Sequence, residues 1–226
     1  MNDLIDLLQR QQLIWHGNEQ VSDVERVSTG IEQFDEYLNG GLPKHGVIDI
    51  QASQGIGEVR VLLPYLKQQT GLTVFINPPG CVSGHGLFHL GFDTALILVI
   101  NPKNELDALW SAEQCLKSGA CSSVLLWQDR FAIHQIKRLQ LAAEQGGALQ
   151  FVMRSEASSH LSLPVSLCLQ LAAHREGLEV VINKQKGSWS KARFVVTLKS
   201  YWPELYQPAK EDKVISLLEH RQQVSI

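Results

Sequence analysis

Short apolar runs alternate along the chain with segments whose apolar residues recur every three or four positions. The runs predict buried strands, because a strand covered on both faces reads as a continuous apolar stretch, and the spaced segments predict helices with one buried face. Strands that alternate with helices indicate a mostly parallel sheet with right-handed crossovers, and therefore an α/β fold. The predicted strands cover 46–50, 73–76, 95–100, 123–127, 149–153, 166–173 and 178–183, with 194–198 as an edge strand.

One helix is predicted before the first strand, over 31–38, and three more between the strands, over 58–69, 104–117 and 131–144. Pro64 lies inside the second helix and is expected to kink it or to end its first segment, because proline lacks the N–H that a helix interior requires. Trp110 in the third helix is expected to lie in the core together with Leu106 and Leu109.

Both ends of the chain carry further helical patterns, over 2–14 and 210–222. A helix as short as the second is marginal alone in water, so its apolar residues need a surface on a partner or on the domain itself, and we favour a partner. These apolar residues are Val214, Ile215, Leu217 and Leu218. The patterns divide the chain into an N-terminal helix and linker (1–26), a core domain (27–203) and a C-terminal helical tail (204–226).

Composition and charge narrow the class of protein. The 226 residues suffice for one sizeable α/β domain with short extensions, and a content of 44% hydrophobic and 19% charged residues is typical of a globular protein. A net charge of −3 gives no overall basic field of the kind that marks a DNA-binding protein. No apolar run approaches the roughly 20 residues of a membrane span, so a soluble, cytoplasmic protein with no membrane contact is expected. The four cysteines are scattered without metal-ligand spacing, which favours free thiols.

The stretch after the first predicted strand departs from a phosphate-binding loop at the positions that carry its chemistry. Compared with the pattern G-x-x-x-x-G-K-[ST] of a working P-loop, it reads Ala52-Ser53-Gln54-Gly55-Ile56-Gly57-Glu58-Val59. Glu58 stands where a lysine meets the β- and γ-phosphates, and Val59 stands where Ser or Thr holds Mg²⁺. We therefore expect the loop to keep its shape without nucleotide hydrolysis, with no cofactor and no catalytic residue.

Two interpretations are open for the residues of this loop. Glu58 either excludes an anion or is an acid that stabilises the N-terminus of the next helix, and both interpretations predict that no triphosphate binds. Gly55 and Gly57 either bind a phosphate through their amides or serve only a tight turn that packs the helix on the strand.

Several stretches on both sides of the loop carry recognisable motifs. Upstream, S-T-G-I-E-Q-F-D-E-Y-L at 28–38 and G-G-L-P at 40–43 resemble the segment that precedes the P-loop in RecA and RadA proteins. Downstream, the stretches 55–64, 109–114, 117–120, 126–127 and 138–144 are similar to the ImuA family of RecA-like translesion-synthesis accessory proteins. The resemblance covers about residues 27 to 200 and implies a RecA-like fold.

The resemblance also implies a role in the bacterial SOS response. ImuA proteins partner with ImuB, an inactive Y-family polymerase homologue, and with an error-prone DnaE-type polymerase, and some also engage RecA. The implied function is that of a non-catalytic accessory protein of translesion synthesis and mutagenesis. The same core is shared by SulA, which stops division by binding the tubulin homologue FtsZ, so a SulA-like inhibitor is the first alternative. The second alternative is a nucleotide-dependent, DNA-binding ATPase.

Two further positions bear on that second alternative. The glutamate that activates water in RecA-like ATPases corresponds, by this resemblance, to about Pro79, and the Mg²⁺-linked aspartate falls near Trp127. Asp129 would replace that aspartate only after a shift in register. Catalysis of phosphoryl transfer needs most of these groups together, so the resemblance implies that the protein is not an ATPase.

Aromatic and basic residues elsewhere are candidates for contact with a partner or with DNA. The segment 184–193 places an aromatic residue beside four cations, which favours an interaction surface over an ordinary mobile basic loop. Arg130 and Arg138 belong, on the alternative interpretation, to a solvated helix face, and Trp127 to the core. The candidates are Trp127, Arg130, Arg138, Lys184, Lys186, Trp189, Lys191 and Arg193.

Histidines show ligand spacing at one place, His85-x-x-x-His89. Gly84 and Gly86 argue against a stable helix there, so no metal site is expected.

Overall fold

An eight-stranded sheet forms the centre of the computed structural model, which describes residues 25–155, 163–187 and 191–203. The strands lie in the order β10-β9-β8-β3-β7-β6-β4-β5. The pairs from β8 to β5 are parallel, and β9 and β10 add to β8 as antiparallel strands. The bounds are β3 Gly46–Ala52, β4 Leu72–Ile76, β5 Ile97–Ile100, β6 Cys121–Trp127, β7 Leu149–Arg154, β8 Leu167–His174, β9 Gly177–Gln185 and β10 Arg193–Thr197.

Helices cover both faces of this sheet, because residues along each inner strand point alternately to opposite sides. The helices are α1 Glu32–Tyr37, α2 Leu63–Lys67, α3 Gly84–His89, α4 Glu105–Lys117 and α5 Ile133–Gly146, and a small separate ribbon pairs β1 Arg26–Val27 with β2 Leu42–Pro43. On β3, Ile48 and Ile50 pack on the face that carries α1 and α2, whereas Val47 packs on the face that carries α4 and α5. The mostly parallel α/β architecture expected from the alternation of strands and helices is confirmed.

The Ser28-Thr29-Gly30 turn before α1 is held by the carboxylate of Asp35. Asp35 accepts a hydrogen bond of 2.7 Å from the Thr29 backbone N–H and another from the Ser28 hydroxyl. Gly30 has φ +80° and lies so close to α2 that a Cβ there would meet the Pro64 Cβ at 2.9 Å. The Ser28-Thr29-Gly30 turn therefore packs directly against the first turn of α2.

The second predicted helix is shorter than expected. Residues 58–62 form turns, and the α-helix begins only at Leu63, with Pro64 in its first turn. The turns carry short-range bonds, such as the Arg60 N–H to the Gly57 carbonyl at 2.8 Å. Proline lacks the backbone N–H that a helix interior requires, and the first turn of a helix, where Pro64 lies, is the position that tolerates it. The prediction of a helix over 58–69 was therefore wrong for its first five residues.

The third predicted strand exists, but the prediction was wrong in its first two residues and in its burial. The predicted strand at 95–100 shortens to β5 with a 3₁₀ turn at Thr94–Leu96 before it, and it is not covered on both faces. Leu98 and Val99 are 41% and 40% exposed. Within the described residues β5 pairs only with β4, so it is an edge strand, and its apolar sequence does not reflect two buried faces.

Trp110 does not lie in the core. The buried stripe of α4 is formed by Ala108, Ala112 and Leu116, which recur every four residues. Trp110 lies off this stripe and is 63% exposed, as is Leu106 at 71%. The helix itself was predicted correctly, but the side of it that faces the sheet was not.

Some predictions concern residues outside the described ranges. These are the helix at 2–14, the tail at 210–222 with its four apolar residues, the outer limits of the three proposed segments, and Trp189 in the basic segment.

Candidate functional site

The loop after β3 is a tight turn whose two glycines are required by the backbone. Gly55 has φ +82° and Gly57 has φ +96°, in the region that favours glycine. A Cβ on Gly55 would meet nothing within 4 Å, so the backbone angle and not crowding selects glycine there. The observation agrees with the interpretation of these glycines as turn residues.

Glu58 turns back onto this loop. Its carboxylate accepts a hydrogen bond of 3.2 Å from the Gly57 backbone N–H, and the residue is 7% exposed. In a phosphate-binding loop such N–H groups face the anion. Here one of them is occupied by a carboxylate of the same loop. Val59, the next residue, is partly buried and packs against the core on the α1 and α2 face.

A crevice of about 380 Å³ opens beside the loop at the carboxyl ends of the strands. This edge is where α/β sheets bind ligands. Trp127, the last residue of β6, is 8% exposed and stacks on Phe75 with ring centroids 6.2 Å apart. The crevice brings together four positions that the sequence related to nucleotide chemistry, namely Ala52, Glu58, Pro79 and Trp127.

The charges that line the crevice do not favour a polyanion. Glu58, Glu105 and Asp129 are acidic. The basic residues are Lys103 and Arg154, and Arg154 is neutralised by a buried aspartate. The lining therefore carries an excess of negative charge, which opposes the binding of a triphosphate.

A buried ion pair adjoins the crevice, with Arg154 in its lining. The guanidinium of Arg154 donates two hydrogen bonds to Asp49, at 2.8 Å from Nε and 2.6 Å from a terminal nitrogen, and both side chains are at most 2% exposed. Gln51 donates to the same carboxylate at 2.9 Å, and the Cys168 thiol lies 3.5 Å from it. Burial, and next the Asp49 charge, raise the pKa of Cys168 to about 12.

The sequence interpretation missed this network. A local signal existed, because Asp49 and Gln51 lie two residues apart in an apolar strand and must share one face. The partner Arg154 is distant in sequence, at the end of β7, and no local pattern connects it with Asp49. The adjoining Gln128 also went unnoticed; its Nε2 donates to the Arg130 carbonyl at 2.8 Å, while its buried Oε1 has no protein partner among the described residues.

The predicted contact residues do not form one surface. Trp127 is 8% exposed, which favours its interpretation as a core residue, whereas Trp110 is 63% exposed. Arg138 is 62% exposed and pairs with Glu113. Arg130 is exposed beside the crevice region, on the loop before α5.

The basic segment 184–193 runs from the end of β9 to the start of β10, two strands that pair as an antiparallel hairpin, and the structure describes its residues 184–187 and 191–193. Lys184 donates to the Leu163 carbonyl at 3.1 Å, and Arg193 lies 3.5 Å from Glu179. Lys186 and Lys191 are exposed. Two of the four cations are therefore engaged within the domain, and the remaining two face solvent.

Neither a clustered metal centre nor a membrane-spanning helix occurs among the described residues. In the parts of the chain that the structure describes, no cluster of three or more His, Cys, Asp or Glu side chains is arranged to hold a metal ion. Over the same residues, none of the helices combines the length and the apolar character needed to cross a membrane.

Comparison with known proteins identifies two groups of relatives. The chain is 31% identical over 100 residues to the cell division inhibitor SulA of Photorhabdus laumondii. The matched residues cover 43% of this chain and 56% of that protein. It is 32% identical over 158 residues to RecA of Acinetobacter baumannii, which covers 68% of this chain and 41% of RecA. RecA of Nostoc sp. is 29% identical over 140 residues. No protein-family model matches the chain.

The chain spans between 38% and 56% of the length of these curated relatives. The matches and the sheet support one another, because a central, mostly parallel sheet covered by helices on both faces is the architecture expected for a relative of RecA. The protein therefore has a RecA-like α/β fold and is related in sequence to both RecA and SulA.

Proposed function

We propose that this protein is a non-catalytic, RecA-like accessory protein of SOS-induced translesion DNA synthesis that acts through contacts with other proteins. Its partners on this proposal are an ImuB-type Y-family polymerase homologue, an error-prone DnaE-type polymerase and RecA. The observation that carries the proposal is the loop after β3, in which Glu58 occupies the Gly57 N–H that a phosphate would need.

The chemistry of the crevice supports a role without catalysis. Glu58 and Val59 replace the lysine and the Ser/Thr of a working loop, so the site lacks both the cation for the γ-phosphate and the ligand for Mg²⁺. Pro79 and Trp127 stand at the crevice where carboxylates would activate water and hold the metal. With these groups replaced, the loop is a degenerate Walker motif that serves the packing of the domain.

Exposed apolar side chains support a role in protein contacts. Leu106 and Trp110 lie one turn apart on α4 and are 71% and 63% exposed. Ile133 and Leu141 on α5, which packs beside α4, are 54% and 65% exposed. Large exposed apolar side chains on neighbouring helices are typical of surfaces that bind other proteins.

A SulA-like inhibitor of cell division is the second candidate, and one observation favours it. The similarity to the cell division inhibitor SulA covers 56% of that protein, a larger share than the 41% of the A. baumannii RecA protein. On this alternative the partner is FtsZ, and the degenerate loop has the same structural role.

Direct binding assays with purified proteins separate these candidates. The protein is immobilised, and an ImuB-type protein, a DnaE-type polymerase, RecA and FtsZ are passed over it one at a time. Binding of the ImuB-type protein without FtsZ supports the proposal. Binding of FtsZ alone overturns it in favour of the SulA-like role, and DNA-stimulated ATP turnover would instead support the ATPase.

The basic hairpin can be tested in the same assay. The double variant Lys186→Ala, Trp189→Ala is expected to bind the partner more weakly than the wild type, with nearly the same melting temperature. Lys67→Ala removes an exposed lysine from α2 and serves as the matched control. Equal affinity of the double variant and the wild type would exclude the hairpin from the interface.

A further inference from the structure

Two histidine side chains meet on the exposed face of α3. His85 and His89 are one helical turn apart, and their Nε2 atoms are 2.9 Å from each other. The ring planes are nearly perpendicular, at 89°, with centroids 4.3 Å apart. Despite Gly84 and Gly86, the helix forms, and Ser83 caps it by accepting the Gly86 N–H at 3.0 Å. The glycine argument against this helix was therefore wrong.

The distance between the two nitrogens has a direct meaning for metal coordination. Imidazole nitrogens bind a first-row divalent ion at about 2.0–2.1 Å. Two such nitrogens at adjacent corners of a square-planar or octahedral shell are then about 2.9 Å apart, whereas a tetrahedral shell needs about 3.3 Å. The 2.9 Å between the two Nε2 atoms is an ordinary hydrogen-bond length, and it also equals the separation in the first arrangement, so a metal ion of that kind could replace the hydrogen bond without moving the helix.

We propose that His85 and His89 form a two-histidine chelate on α3 for a divalent cation of tetragonal preference, of the Ni²⁺ or Cu²⁺ type. Both residues are exposed, so water can occupy the other coordination positions. Imidazole suits these ions and Zn²⁺, whereas Mg²⁺ takes oxygen ligands. Coordination needs the lone pair of both Nε2 atoms, so the ring whose Nε2 carries the proton has to adopt the tautomer with that proton on Nδ1.

A metal ion bound to His85 and His89 would stabilise the helix α3 that carries them. The helix has six residues and two glycines, so its intrinsic stability is low. A metal that joins residues four apart links one turn to the next. Binding to the native state alone also stabilises the folded protein. The inner side of α3 is anchored by the buried Leu87, which packs on the core, so an ion at the outer side would fix the helix from both sides.

Titration of the full-length protein with Ni²⁺ at pH 7.5, followed by calorimetry, tests the proposal. Because loss of even an outer-shell partner costs about 10–100-fold in metal affinity, His85→Ala and His89→Ala should each bind Ni²⁺ at least about tenfold more weakly than the wild type. His134→Ala removes an exposed histidine of α5 and should bind Ni²⁺ like the wild type. Mg²⁺ at the same concentration should give no heat of binding.

Thermal unfolding supplies a second readout that does not depend on the calorimetric fit. Ni²⁺ should raise the Tm of the wild type and of His134→Ala, and it should leave the Tm of the two α3 variants unchanged. Equal Ni²⁺ affinity in the wild type and the α3 variants would overturn the proposal, as would the absence of binding at millimolar Ni²⁺. The result is independent of the partner assays, because neither histidine belongs to the crevice or the basic hairpin.

Discussion

The Gly57 backbone N–H donates to the carboxylate of the adjacent Glu58 at 3.2 Å, so the turn after β3 binds an acid of its own. A loop that holds phosphates presents its amides to the ligand and adds a lysine. Glu58 removes one amide from that role and reverses the sign of the nearby charge. On the proposal that this turn is a degenerate phosphate-binding loop, the contact between Gly57 and Glu58 accounts for its altered chemistry.

We predict that restoring the two consensus side chains does not restore ATP turnover. The variant Glu58→Lys, Val59→Thr frees the Gly57 N–H and supplies a cation and a hydroxyl, so it should bind a fluorescent ATP analogue more tightly than the wild type. Turnover should stay at the buffer level, because Pro79 and Trp127 provide no carboxylate. Phosphate release stimulated by DNA, in the wild type or the variant, would contradict the prediction.

Sequence periodicity located the strands of the sheet, but it did not predict the exposure of β5 or the side of α4 that faces the sheet. The strand from Gly46 was predicted because a buried inner strand is continuously apolar, and that cause is local. The same pattern at Leu98 and Val99 has another origin, since an edge strand may also be apolar. In α4, apolar residues spaced three and four apart occur on more than one face of the helix. For this reason Trp110 was predicted on the buried side, although it lies on the exposed side.

The buried ion pair of Asp49 and Arg154 also could not be predicted from the sequence. Asp49 and Arg154 are brought together by the parallel register of β3 and β7, in which Gln51 lies opposite Arg154. The order of the strands in the sheet creates this contact. A reading along one chain cannot derive that order, although the polar pair of Asp49 and Gln51 in an apolar strand shows that a polar partner is needed.

Removal of the Asp49 charge should destabilise the fold strongly. Asp49→Asn removes a buried carboxylate that accepts two hydrogen bonds from the Arg154 guanidinium, and breaking a buried ion pair costs about 3–5 kcal/mol of unfolding free energy. Urea unfolding followed by circular dichroism measures this change. Glu25→Gln breaks the exposed pair with Lys44 and should keep the urea midpoint of the wild type. Equal midpoints for all three proteins would show that the buried pair contributes nothing.

The orientation of α4 predicts a contrast between two of its residues. Trp110→Ala removes a side chain that is 63% exposed and should change the unfolding free energy by no more than about 0.5 kcal/mol. Leu116→Ala empties a fully buried site on the same helix and should cost about 2–5 kcal/mol. The two variants are compared by urea unfolding. A larger loss of unfolding free energy for Trp110→Ala than for Leu116→Ala would show that α4 packs on the sheet with its other face.

Thiol reactivity should distinguish Cys81 from Cys168. Alkylation requires the thiolate, and burial followed by the Asp49 charge raises the pKa of Cys168 to about 12. Cys81 is exposed. Iodoacetamide at pH 8 should therefore modify Cys81 in the native protein and Cys168 only after unfolding in guanidinium, as measured by peptide mass spectrometry. Modification of both at the same rate in the native protein would contradict the buried network.

Glu113 should give the fold a defined dependence on acid pH. Hydrogen bonds from Lys117 and then Arg138 lower the pKa of Glu113 against the opposing effect of burial. A carboxylate with a lowered pKa contributes stability above its unfolded pKa, about 4.3, and loses that contribution as the pH falls through the folded pKa. The Tm difference between the wild type and Glu113→Gln should therefore be constant from pH 7 to about 5 and shrink at lower pH. Lys117→Met should reduce the same pH dependence, because it removes the largest cause of the shift. A Tm difference that stays constant down to pH 3 would show that the Glu113 charge does not stabilise the contact between α4 and α5.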